Sequence, residues 1–142
     1  MSSNKIIVAL DSDNFDKSLK LVSRLKKDVY AFKIGYQFFY NFGLVGYKKV
    51  FSVCPKIFLD LKLHDIPNTV ENGLEAIIKM KPIFTTIHIS GGDEMMKVSN
   101  SNKKNTMILG VSILTSMDSK QTIKYYNQKN VTKLVRSFAQ AA

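Results

Sequence analysis

Hydrophobic and polar positions alternate along this chain in blocks, and five of the blocks read as strands. Ile6-Ile7-Val8-Ala9-Leu10 is a continuous apolar run, rich in β-branched residues and closed by Asp11. That is the pattern of a strand buried on both faces. Residues 29–35, 56–62, 83–89 and 106–114 repeat it. Helical segments are predicted between them. Asp13-Asn14-Phe15-Asp16 is a helix-start signal, and Leu19, Val22 and Leu25 then recur at helical spacing. Residues 36–42 are aromatic-rich and stop at Gly43, and residues 45–53 predict another short helix. Pro67 suits the first turn of a helix that carries Val70, Leu74, Ile77 and Ile78 at i, i+4, i+7 and i+8. A further helix is predicted through Met95, Met96 and Val98, followed by a Ser99-Asn100-Ser101-Asn102 loop. Residues 118–130 read as polar and turn-like, and residues 131–142 as a helix.

Strand and helix thus alternate five times with short linkers, which predicts an α/β fold with a parallel sheet and helices outside. An open doubly wound sheet and a (β/α) barrel both satisfy the order. The polar residues at the strand ends favour the barrel. Asp11, Lys33, Asp60 with Lys62, His88 and Thr115 each stand at or just past a strand C-terminus. In a barrel, residues from several strands converge on that rim. A doubly wound sheet gathers them at one switch point.

Composition narrows the class. The chain has 142 residues, suited to one domain over 1–142, and is 45% hydrophobic. No apolar run reaches the roughly 18 residues of a membrane span, and the start MSSNKIIVALD lacks the pattern of a signal peptide. Cys54 is the single cysteine, which leaves no intrachain disulfide and argues against a Cys-based metal site. A cytoplasmic setting is expected. The net charge is +10, which raises the question of a polyanionic partner. Only Arg24 and Arg136 are arginine among 21 basic residues, leaving 19 lysines. These are scattered, with short clusters at Lys26-Lys27, Lys48-Lys49 and Lys103-Lys104. Compositional drift explains that distribution better than nucleic-acid binding. A small anionic substrate gains from the positive field either way.

The chemistry centres on FLDLKLHDIPNT, residues 58–69. Asp60 and Lys62 are two apart on a predicted strand, so they are expected on one face, with Leu59 and Leu61 on the other. Unpaired buried charge is costly, so Asp60, Lys62, Lys33 and Asp65 are expected to neutralise one another in a hydrogen-bonded array. A salt bridge that merely fixes register is the plainer alternative. A lysine held between carboxylates keeps its proton, because nearby negative charge favours the charged form. It is then a positioned proton donor, and the carboxylates favour loss of a substrate anion. Decarboxylation fits, and so do aldol cleavage and isomerisation.

The string Asp-x-Lys-x-x-Asp-Ile-Pro-Asn-Thr from Asp60 to Thr69 resembles the signature of the orotidine 5'-phosphate decarboxylase family. IIVALD resembles that family's first strand, FKIG its second, TTIHISGGDEMM its fourth and GVSILTSM its fifth, with Ile89 where a small residue is more usual. The resemblance implies the N-terminal part of a TIM-type (β/α) barrel, here about five βα units, and decarboxylation of orotidine 5'-phosphate to UMP. It implies that Lys62 is the general acid, that Asp60 stands beside the departing carboxylate and that Lys33 bridges the acids and the ribose. Asp11 would bind a ribose hydroxyl and Thr115 would contact the base. Asp65, Ile66 and Thr69 would reach into the site of a second subunit of a homodimer, with His64 packed at that contact and His88 structural. No metal or organic cofactor is implied. A complete barrel takes about 250 residues, and the family's phosphate-binding segment lies beyond residue 142. The chain alone is therefore expected to show little or no activity. The alternative is an inactive fragment or a non-catalytic interaction protein with a basic surface.

Overall fold

The computed structural model describes residues 5–101 and 105–142, with side chains described for 5–99 and 105–142. Five strands carry the fold: β1 (Ile7–Ala9), β2 (Ala31–Ile34), β3 (Ile57–Leu63), β4 (Phe84–His88) and β5 (Met107–Val111). They form a parallel sheet in the order β1-β2-β3-β4-β5. Ile7 stands opposite Ala31, and Phe32 opposite Ile57. Strictly sequential order is the order of a (β/α) barrel; a doubly wound sheet reverses at a switch point.

Among the described residues six α-helices link and follow the strands: α1 (Phe15–Leu25), α2 (Tyr36–Val53), α3 (Pro67–Lys79), α4 (Asp93–Ser101), α5 (Ser119–Tyr126) and α6 (Val131–Ala141). Asn14 caps α1 by accepting the Lys17 N–H at 2.9 Å, as the Asp-Asn start signal predicts. The two segments expected at residues 36–42 and 45–53 are one element broken at Gly43, whose φ of 55° is open to glycine at no steric cost.

Three expectations change. β1 is not buried on both faces: Ile6 and Ile7 are exposed, because β1 pairs with β2 alone at an edge of the sheet. The polar stretch 118–130 contains α5, started by a capping box in which Asp118 and Gln121 satisfy each other's backbone N–H groups. The loop read from Ser99 is helical through Ser101, and the Ser99 hydroxyl donates to the Met95 carbonyl at 2.6 Å. Asn102, Lys103-Lys104 and Met1 to Asn4 lie outside the described residues.

The chain divides into two compact units. The first comprises Met1–Leu61, Ile77–Thr85 and Lys104–Met107; the second comprises Lys62–Ala76, Thr86–Lys103 and Ile108–Ala142. The first has a closed apolar core. Ala31, Phe32, Ile34, Phe38, Val50, Ile57 and Leu59 are wholly buried there. The Phe38 ring lies 4.9 Å from that of Phe42 and 6.1 Å from that of Phe15. In the second unit Val70, Leu74 and Met95 are buried, whereas α6 buries none of its residues. Among the described residues no helix is long and apolar enough to cross a membrane.

Candidate active site

Three charged residues of the first unit, two within strands and one just past a strand, come together as an ion-paired group. Lys33 lies in β2, Asp60 in β3, and Asp11 two residues past β1. The Lys33 Nζ is 3.5 Å from Asp60 Oδ2 and 4.0 Å from Asp11 Oδ2. The Asp60 side chain is 9% exposed, that of Lys33 27% and that of Asp11 55%. The three therefore form a gradient from interior to solvent, with the ammonium in the middle. The pair with Asp60 carries more weight, since a largely buried carboxylate depends on compensation and an exposed one is solvated. The phenol of Tyr36, at the start of α2, donates to the Leu61 carbonyl at 2.9 Å, and the Thr85 hydroxyl donates to the Leu59 carbonyl at 2.9 Å. Both bonds hold β3 on either side of Asp60.

The second unit contains the remaining predicted residues. Lys62 is two residues beyond Asp60 in β3, but it is not placed by simple strand alternation. Its φ is 43°, left-handed and uncommon for a residue with a side chain. Such a conformation costs about 1–3 kcal/mol and persists only where the surroundings hold it. Here the Lys62 N–H donates to the Thr86 Oγ1 at 2.8 Å. The extended backbone on which the expected shared face of Asp60 and Lys62 rests ends at Lys62. Asp65 is exposed and accepts the N–H of its neighbour Ile66 at 2.7 Å. Ile66 is 66% exposed, and Thr69 and Thr115 are exposed as well. The rings of His64 and His88 are 5.1 Å apart and tilted by 32°. Met95 is fully buried.

Thr86 and Tyr36 were not legible as site-supporting residues. Thr85-Thr86 in the middle of an apolar strand was the available signal, because a buried hydroxyl needs a partner. The second unit also holds a cavity of about 370 Å³ lined by Ile87, Ile89 and Met96 among others. None of the eight predicted site residues lines it. Among the described residues no cluster of three His, Cys, Asp or Glu side chains could hold a metal ion.

Sequential βα units with charged side chains at the strand C-termini place the chain in the (β/α) barrel class. Residues 4–142 match the model of the orotidine 5'-phosphate decarboxylase / HUMPS family, and the chain belongs to that family. It is 44% identical over 116 residues to an orotidine 5'-phosphate decarboxylase of Methylacidiphilum infernorum, covering 80% of this chain and 50% of that protein. It is 42% identical over 120 residues to the one of Ehrlichia chaffeensis, covering 83% and 52%. The crystal structure of the Lactobacillus acidophilus orotidine 5'-phosphate decarboxylase superposes with a TM-score of 0.82 at 36% identity, covering 98% of this chain and 66% of that one. The chain spans about half the length of the curated relatives it matches.

Proposed function

We propose that this chain carries the decarboxylating residues for conversion of orotidine 5'-phosphate to UMP. The observation that carries the reading is the Lys33–Asp60 pair at 3.5 Å, with its carboxylate largely buried in the middle of β3. Charge fixed in a partly dry site stabilises a transition state without reorganising. In this reading Asp60 stands beside the substrate carboxylate, and its negative field favours loss of carbon dioxide. The C6–carboxylate bond breaks and leaves its electron pair on C6. The Lys62 ammonium then protonates C6. Lys33 holds Asp60 and reaches toward the ribose, Asp11 accepts a ribose hydroxyl, and Thr115 contacts the base.

The exposure of Asp65, Ile66 and Thr69 suits residues that serve the second site of a homodimer. The protein is proposed to work in the cytoplasm. The chain alone is proposed to turn substrate over slowly. The test is UMP formation from orotidine 5'-phosphate by the purified chain and by Lys62→Ala. Slow formation that is lost in the variant is expected. Equal rates for the two proteins would overturn the reading.

A further inference from the structure

Three non-glycine residues have a left-handed backbone among the described residues: Lys62, Lys81 and Asn127. Two of them are ordinary. Asn127 caps the C-terminus of α5, and Lys81 follows the C-terminus of α3 and donates its N–H to the Ile78 carbonyl. Left-handed residues commonly end helices in this way. Lys62 is different, since it lies inside β3 and not at a helix end. A left-handed residue inside a strand turns its peptide away from the regular ladder, and its N–H then needs another acceptor. Thr86 in β4 supplies it, with Oγ1 2.8 Å from the Lys62 nitrogen. Thr86 is 4% exposed, and as a β-branched residue it has a stiff χ1, so the acceptor is fixed in place.

We propose that Thr86 is a positioning residue: its hydroxyl holds Lys62 in the left-handed conformation and so sets the direction of the Lys62 side chain. This rests on the reading of Lys62 as the proton donor. The direction in which Cβ leaves the backbone follows φ and ψ. Return of Lys62 to extended backbone would swing its ammonium off line, and a misplacement of about 1 Å at a reacting centre costs on the order of a hundredfold in rate. Threonine suits the task because it offers an oxygen acceptor within an otherwise apolar strand. Valine has the same shape without the acceptor.

The experiment compares the wild-type chain with Thr86→Val and Thr86→Ser. Two readouts are taken: NMR of lysine-labelled protein, following the Lys62 Cα resonance, and steady-state turnover of orotidine 5'-phosphate. Thr86→Val is expected to move the Lys62 Cα resonance from the left-handed to the extended range. It should lower kcat by about a hundredfold with little change in KM. Thr86→Ser restores both. Lys62 resonances unchanged in Thr86→Val, or a serine variant as impaired as the valine one, overturn the proposal. If Thr86→Val does not fold, the wild-type Lys62 amide decides. Hydrogen exchange slower than at Leu63 and His64 supports the bond to Thr86, and exchange as fast as theirs overturns it. A wild-type chain with no Lys62-dependent turnover overturns the functional reading, and the Lys62 resonances still decide for or against Thr86.

Discussion

The two compact units differ in how their helices are covered. In the first, α2 buries Phe38, Gly46, Tyr47 and Val50, and the strands beside it bury Phe32, Ile34, Ile57 and Leu59. In the second, α6 has a clear apolar side in Val131, Leu134, Val135 and Phe138, yet none of these is buried. α5 buries Thr122 alone. The ion pair that keeps a carboxylate in the interior, Lys33–Asp60, belongs to the first unit. The residues proposed to serve a second subunit, Asp65, Ile66 and Thr69, and Thr115, proposed to contact the base, belong to the second. Burial in the first unit thus goes with the paired charge, and the less covered unit carries the groups proposed to meet other molecules. Local stability in proteins is commonly divided that way.

The largest effect that tests this contrast is expected in the first core. Phe38 is wholly buried against Phe15 and Phe42, and a β-carbon on Gly46 would lie 3.3 Å from its ring. A site packed this closely on both sides collapses poorly around a deletion. Phe38→Ala should cost about 3–5 kcal/mol, read as a fall in the urea midpoint at unchanged slope. A loss under about 1 kcal/mol would mean that the first unit is no better packed than the second.

Tyr47 sharpens the contrast more gently, through pH. Its ring is buried in the first unit, and its hydroxyl donates to the Met80 carbonyl at 3.1 Å. Burial pushes the phenol above its ordinary pKa. A raised folded-state pKa gives stability that is complete below the unfolded value, about 10. That stability is lost as pH rises from there toward the folded value, because the unfolded phenol releases its proton first. At neutral pH Tyr47→Phe should cost about 0.5–1.5 kcal/mol for the lost hydrogen bond. Above about pH 10 the wild type should lose this advantage while the variant stays flat in that respect. Urea unfolding of both proteins across pH 7–11 checks it. A difference that stays constant would mean that the phenol is not held away from water.

How much of this could be seen in the sequence depends on whether a feature is periodic. The five strands were legible because parallel strands flanked by helices write themselves as apolar runs, and β1 misled only in burial, since edge position leaves no mark in its residues. The end of α4 and the whole of α5 were hidden by composition: Ser, Asn, Lys and Gln read as loop. Yet the capping box of Asp118 and Gln121 stood in the sequence as the one local sign of a helix start. In the site, Lys33 and Asp60 could be paired from cost alone, because buried charge demands a partner. The turn of Lys62 could not. Strand alternation predicts where a side chain points only while the backbone is extended, and a left-handed residue held by a threonine one strand away has no period to reveal it.

The smallest expected effect lies in α6. Its Phe138 ring meets the Tyr126 ring edge-on at 5.9 Å, and both residues keep part of their surface in water. An edge-to-face pair adds about 0.5–1.5 kcal/mol beyond the area it buries, and truncation of a half-exposed ring leaves no closed cavity behind. Phe138→Ala should therefore cost about 1 kcal/mol, several times less than the same change at Phe38, although the two side chains are identical. Identical chemistry at both positions makes the ratio, read from two urea midpoints, the sharper measure. Equal losses at Phe38 and Phe138 would show that α6 is covered in solution as fully as α2, and the division of labour between the two units would fall with that result.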